Sequence, residues 1–376
     1  MSTQQSEPSA VSPVTARKKR PASTVLWAVL AVAVLAIIVY YTRIGAVSDR
    51  IRNPEVTGAP RPAEFPLAFP HVLGIMQILL VVSCVVEVTV LVLAWRRYPR
   101  HPVLLMAIAV TLLFWLDPFV NWAPYAVYNP QLWHFPEDWP WVSLSPTVEP
   151  FIVFFGYITF YLAPYFPAIW ILRRIQARRP DDSFVQRHPL ISLAGLIFVI
   201  GFVYDAAIEI FLTRTGIFIY SQVIPFGSVF AGKPWQFALI WESALITMVM
   251  IPAGVLLYRD DTGRTVAEKL AQRARIFVSR PALGTFAVMF VILNIAYVGY
   301  GASFTIVKAT KAATSVACPW PYPEAKVYDP QGFYEKNGQP GPYYVGLWSG
   351  WMSGQPDGRP TVQAPTNAGP CTPGPG

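Results

Sequence analysis

The chain has 376 residues, of which 54% are hydrophobic and only 13% charged, with a formal net charge of +8. A soluble globular domain carries roughly a quarter of its residues as Asp, Glu, Lys and Arg, so this composition, with a mean hydropathy of +0.41, excludes a soluble fold and points to an integral membrane protein. The positive balance needs no nucleic acid partner, because arginines beside membrane helices set topology and meet anionic headgroups.

Residues 1–22 are polar and Pro/Ser-bearing, ending in RKKR and Pro-Ala, and read as a disordered cytoplasmic N-terminus. A transmembrane domain is expected over 23–304, with seven apolar stretches at 23–42, 71–95, 102–119, 147–172, 189–213, 236–258 and 282–304. Each is long enough as a helix to cross a hydrocarbon core of roughly 30 Å. The first, STVLWAVLAVAVLAIIVYY, outruns the core of a cleaved signal and is followed by no small-x-small cleavage site, so it reads as a retained signal-anchor. Counted from a cytoplasmic N-terminus, the inner segments hold four, three, five and six Lys or Arg; of the short outer loops, 120–146 holds none and 214–235 only Arg214 and Lys233. The positive-inside rule then predicts an all-α, seven-helix, multi-pass protein of the plasma (inner) membrane with its C-terminus extracytoplasmic.

After the last span, 305–355 is rich in Pro and aromatics and reads as an extracytoplasmic cap, and 356–376 as a disordered Pro/Gly-rich end. Of three cysteines, Cys84 falls in a span, whereas Cys318 and Cys371 lie in this tail. A disulfide is permitted there, which makes them the candidate pair.

Six of the 21 acidic residues fall inside the expected spans, namely Glu87, Asp117, Glu149, Asp205, Glu209 and Glu242, and none of the 29 basic residues does. Asp205 and Glu209, in FVYDAAIEIFLT, stand one turn apart and so share a helix face. The topology puts Asp117, Asp205 and Glu209 near the outer ends of outward-running spans, and Glu149 and Glu242 near the outer starts of inward-running ones. Five carboxyls from four helices therefore share one depth, with Glu87 deeper. Asp117 and Glu149, and Glu209 and Glu242, also form a loose internal echo of two hairpins around a cavity.

A single carboxyl at a helix end has a plainer role, as a cap or a reach to headgroups. Five at one depth favour a shared cavity. Acids clustered without a cation cannot all be ionised in a low-dielectric site; a protonated member serves as general acid, and an ionised neighbour as base or cation stabiliser. Asp205 and Glu209 are the expected acid/base pair, with Asp117, Glu149 and Glu242 holding their protonation states apart. Asn121, Trp122, Tyr157, Tyr204, Trp241, Asn294 and Tyr297 are the candidate substrate-binding residues for an apolar small molecule or lipid, and Tyr128, Tyr161 and Tyr300 enrich the same layer. The aromatics equally suit an interfacial belt.

Four scattered histidines and the lack of HxxxH, HExxH or CxxC spacing argue against a zinc or iron site. No nucleotide-binding glycine fingerprint is present either, so no metal and no cofactor is expected, while an all-carboxylate Mg or Ca site stays open. Nothing in the sequence identifies a protein partner.

The strings WLDPFVNW (115–122), VEPF (148–151), FVYDAAIE (202–209) and WES (241–243) resemble the AveC-like spirocyclase family of actinobacterial membrane proteins, over about residues 70 to 350. The resemblance implies a relative of macrolide polyketide enzymes that close a dihydroxy-ketone into a spiroketal, some of which also dehydrate the product. It transfers no catalytic residue, so the candidate site rests on the carboxyls. Such a closure needs an acid to expel water, a negative environment for an oxocarbenium ion and a base for the attacking hydroxyl, and no cofactor. The expected function is a cofactor-independent membrane cyclase. The sequence leaves open a proton- or cation-coupled carrier using the same acids, a terpenoid-type membrane cyclase, and a non-catalytic lipid-binding or scaffold protein.

Overall fold

Proline and glycine punctuate the helices. The computed structural model describes Val29 and residues 65–322, apart from 68, 123, 125, 137, 138, 140, 143, 144 and 319. Apart from Val29, the expected first span lies outside the described residues, as do Cys371 and the cap beyond Tyr322. The chain divides into units 1–45 and 46–376, and the helices from Val72 onward, the strands and the cavities all belong to the second.

Helix α1 is Val72–Arg97. Helix α2 is Pro102–Thr111, tightens into a 3-10 turn over Leu112–Leu116 and resumes as α3, Asp117–Val120. Helices α4 (Phe151–Leu162) and α5 (Tyr165–Gln176) precede a short α6 (Phe184–Arg187). Then come α7 (Pro189–Thr215), α8 (Leu239–Leu257), α9 (Val266–Arg273) and α10 (Pro281–Thr310). Pro102 and Pro189 open their helices, where a missing N–H costs little. Gly216, at φ 74, ends α7 in the left-handed conformation that a β-carbon disfavours.

The protein is mostly helical, and five segments are long and apolar enough to cross a membrane: Val72–Arg97, Pro102–Val120, Pro189–Thr215, Leu239–Leu257 and Pro281–Val307. The expected fourth span, 147–172, is instead two helices of 12 residues each, α4 and α5. The break falls at Pro164, which has no N–H to offer the preceding turn. The last helix runs on to Thr310, past the expected start of the cap at 305.

Helix α7 lies along α8, and α10 along α8, α2 and α9. The core between them includes Met106 and Leu113 from α2 and its 3-10 turn, Leu193 and Ile197 from α7, Val249 and Met250 from α8, and Met289 and Leu293 from α10. Helix α1 stands apart, with only Val72 and Gln77 buried.

Two short antiparallel ladders tie the loops together. Strand β1 (Ala126–Tyr128) pairs with β2 (Phe218–Tyr220), Val127 opposite Ile219, so the two aromatic-rich loops are joined to each other. Strand β3 (Gln222–Val223) pairs with β4 (Ser315–Val316) beyond α10. Phe65, Val127, Ile219, Val316, Trp320 and Tyr322 form a small second core here. The carbonyl of Gly216 accepts from Tyr322 Oη at 2.7 Å and Asn129 Nδ2 at 2.9 Å, which satisfies the end of α7. Burial pushes the Tyr322 phenol up. Cys84 is free and Cys318 is disulfide-bonded.

The α7–α8 contact carries three of the acids and is close at Gly201, where a β-carbon would stand 2.9 Å from Met250 Sδ and 3.3 Å from Thr247 Cγ2. Gly195, on the same helix, has nothing within 4 Å. Gly201→Leu is expected to lower stability by about 1–3 kcal/mol, and Gly195→Leu to leave it unchanged, as read by thermal melting in detergent.

Candidate functional site

The first group of acids forms where the 3-10 turn hands over to α3. Asp117 is buried; its Oδ1 accepts from Tyr297 Oη at 2.9 Å and from the Tyr157 hydroxyl, and its Oδ2 from Asn121 Nδ2 at 2.8 Å. The helical spacing of Asp117 and Asn121 supplies the last bond, whereas the two tyrosines arrive from α10 and α4. Their hydroxyls are 2.6 Å apart. Glu149, just before α4, is fully buried; Oε2 accepts from Ser145 Oγ at 2.5 Å, and Oε1 has no partner among the described residues. It lies close enough to Asp117 to interact, though no hydrogen bond of ordinary geometry joins them.

The second group spans α7 and α8. Glu209 Oε2 accepts from Tyr220 Oη at 3.3 Å, and Glu242 Oε1 from Tyr300 Oη at 2.6 Å. Asp205 is fully buried, with neither oxygen hydrogen-bonded among the described residues; the Ser243 hydroxyl, also buried without a hydrogen bond, lies close enough to interact with it. Burial, followed by the charges of Glu209 and Glu242, pushes the Tyr220 phenol well above its ordinary value. Tyr220 therefore stays neutral and donates. Tyr128 is raised in the same way by burial and then by Asp117 and Glu149.

Tyrosines run between the two groups. Tyr297 and Tyr300 are three residues apart on α10, with rings stacked at 5.9 Å and 10°. Tyr161 meets Tyr157 edge-on at 5.0 Å and Tyr297 at 6.1 Å.

A cavity of about 300 Å³ opens onto both groups. Asp117, Glu209 and Glu242 line it, as do Asn121, Tyr157, Tyr204 and Tyr297 of the expected substrate-binding set and their neighbours Tyr128, Tyr161 and Tyr300. No Lys, Arg or His is among the described residues that line it. Asp205 and Glu149 are not in the lining either and stand behind the wall. Trp122 is buried elsewhere. Trp241 Nε1 donates to the Phe226 carbonyl at 2.7 Å, and Asn294 accepts from Trp115 Nε1 at 2.7 Å, so both serve packing rather than the cavity. Glu87, expected deeper than the rest, lines the same cavity from α1.

Sequence reasoning missed Tyr220, which reaches Glu209 from strand β2, and the serines Ser145 and Ser243. A three-residue strand leaves almost no periodic signal, and the short apolar run around Ile219 does not alternate. Among the described residues no set of three or more His, Cys, Asp and Glu is arranged to hold a metal ion. What the arrangement offers is proton transfer between carboxyls and neutral phenols, and aromatic faces with acids around a developing cation.

The model of the spirocyclase AveC-like family matches residues 95–328. The chain belongs to that family. No curated protein and no solved structure matches it. The match begins at the end of α1, so Glu87 lies outside it while the other five acids lie within.

Tyr297→Phe removes one donor from Asp117 and a partner from Tyr157 in a buried setting, and is expected to cost about 1–3 kcal/mol of stability. Tyr204, whose hydroxyl reaches the Thr159 carbonyl only at 3.4 Å, is the comparison. Tyr204→Phe should melt with the wild type.

Proposed function

We propose that this member of the AveC-like spirocyclase family is a membrane-embedded, cofactor-independent cyclase that closes a hydroxylated ketone of polyketide or lipid type into a spiroketal, with dehydration as a companion reaction. The observation that carries the reading is a cavity lined by carboxyls and tyrosine hydroxyls and by no basic side chain among the described residues. On this reading seven spans, oriented by the Lys/Arg distribution with the N-terminus cytoplasmic, place the cavity in the outer half of the plasma membrane, open to an apolar substrate.

The ketone and one hydroxyl of the substrate first combine into a hemiketal. A carboxylic acid gives its proton to the hemiketal hydroxyl, the C–O bond breaks and water leaves. The oxocarbenium ion is held by the remaining carboxylates and the tyrosine faces. The second hydroxyl attacks, and its proton passes to a carboxylate, so the balance is loss of one water. Glu209 and Glu242 face the cavity, so they take the acid and base roles. Asp205, paired with Glu209 from sequence alone, becomes a positioning residue that keeps their charge states apart from behind. Asp117, held by Tyr157 and Tyr297, completes the negative wall.

Two other readings share the cavity. A terpenoid-type cyclase would use the same acids on an alkene. A proton- or cation-coupled carrier rests on Glu87, which adds an acid from a loosely packed helix and has one buried oxygen without a partner among the described residues.

Lipid extracts of cells lacking the gene, compared by mass spectrometry with cells restored by wild type or variants, separate these. The cyclase predicts a pair of species differing by one water, interconverted by wild type and by Glu87→Gln, and reduced at least about 100-fold in Glu209→Gln and Glu242→Gln at equal protein level. The reading fails if Glu209→Gln and Glu242→Gln restore the product as well as wild type, or if no such pair exists.

A further inference from the structure

A second cavity, of about 810 Å³, lies at the opposite end of the bundle, where α2 and α10 begin and α9 packs against α10. From Pro281 to Tyr297 is sixteen residues of α10, or roughly 24 Å, so it is separate from the acid layer. Arg100, Arg264 and Arg275 line it. Its acid, Glu268, is committed to the capping box of α9, accepting from Thr265 N at 2.7 Å and Thr265 Oγ1 at 2.9 Å. Arg264 donates to Gln272 at 2.5 Å. The guanidiniums of Arg100 and Arg275 have no partner among the described residues.

Two unpaired guanidiniums, a third nearby and the positive end of a 30-residue helix make a site for an anion. Apart from Gln272 and Thr285, the rest of the lining is apolar, including Leu105, Ile276 and Val278. The rim continues in the same sense: in the stretch RIFVSR, Phe277 is 52% and Val278 71% exposed between Arg275 and Arg280. A free phosphate would leave that apolar surface uncovered. A lipid would cover it with its chains while its phosphate met the arginines.

We propose that this cavity binds the phosphodiester headgroup of one anionic phospholipid, with Arg100 and Arg275 on the phosphate and the acyl chains along Leu105, Ile276 and Val278. Arginine at a helix end otherwise sets topology and meets headgroups without holding one lipid. Arg178 and Arg179, which line a separate groove with Trp170, provide the control for that plainer role.

The test is native mass spectrometry of the full-length protein released from nanodiscs of mixed phosphatidylglycerol and phosphatidylcholine. Wild type and Arg178→Gln/Arg179→Gln are expected to retain one phosphatidylglycerol. Arg100→Gln/Arg275→Gln should lose it at least tenfold, and Arg100→Lys/Arg275→Lys should keep part of it, which separates loss of charge from loss of fold. Equal retention by the Gln pair, or equal retention of phosphatidylcholine, overturns the proposal. Complete displacement of the lipid by millimolar inorganic phosphate would overturn the lipid as occupant and assign the site to soluble phosphate.

Discussion

Buried carboxyls with no cation in reach among the described residues must be met by neutral donors, and tyrosine supplies most of them in this bundle. Asp117 is held by Tyr157 and Tyr297, Glu242 by Tyr300 and Glu209 by Tyr220. Because donor and acceptor almost always come from different elements, each bond also fixes how two helices sit. Helix α10 is the hub, reaching α3 through Tyr297 and α8 through Tyr300, one turn apart. An apolar bundle in lipid gains little from burying apolar surface against itself, so such interhelical hydrogen bonds and close packing carry register. The packing at Gly201 joins α7 to α8, and the hydrogen bonds of the acid layer join α8 and α3 to α10.

The loops depend on that arrangement and complete it. Tyr220, which reaches Glu209, lies on β2 opposite Ala126 of β1, the strand that follows the loop after α3. The β3–β4 ladder and the Tyr322 bond to Gly216 then close the chain after α10 over the end of α7. A cavity formed this way is walled on one side by a fixed network and on another by α1, which buries few side chains. The carboxyl-bearing wall is held by hydrogen bonds and the wall made by α1 is loosely packed.

Much of the helical layout was legible because apolar runs and their flanking Pro, Gly and Arg mark ends directly; five stretches agree with the structure within a few residues. The fourth did not, although Pro164 was visible in it, because a continuous apolar run hides a break that only backbone hydrogen bonding decides. Asp205 and Glu209 do share a buried face, as their spacing requires. Spacing gives faces but not the rotation of a helix against its neighbours, so it could not tell that Glu209 meets the cavity and Asp205 stands behind. That Glu87 lines the same cavity was not legible for a related reason: depth along a span can be counted, but the position of α1 against the bundle is set by tertiary packing. Tyr220 escaped because its placement depends on a strand pairing between residues about 90 apart, Tyr128 with Phe218 and Ala126 with Tyr220.

The dependence of the buried acids on tyrosine donors is tested most directly by a double-mutant cycle on the α8–α10 pair, melting Tyr300→Phe, Glu242→Leu and the combined variant in nanodiscs. A real buried hydrogen bond makes each single change leave a stranded partner, so the double variant should lose less than the sum of the singles, by about 0.5–3 kcal/mol. Additive losses, within about 0.5 kcal/mol, would mean that Tyr300 does not hold Glu242, and the network on which the cavity stands would not be there.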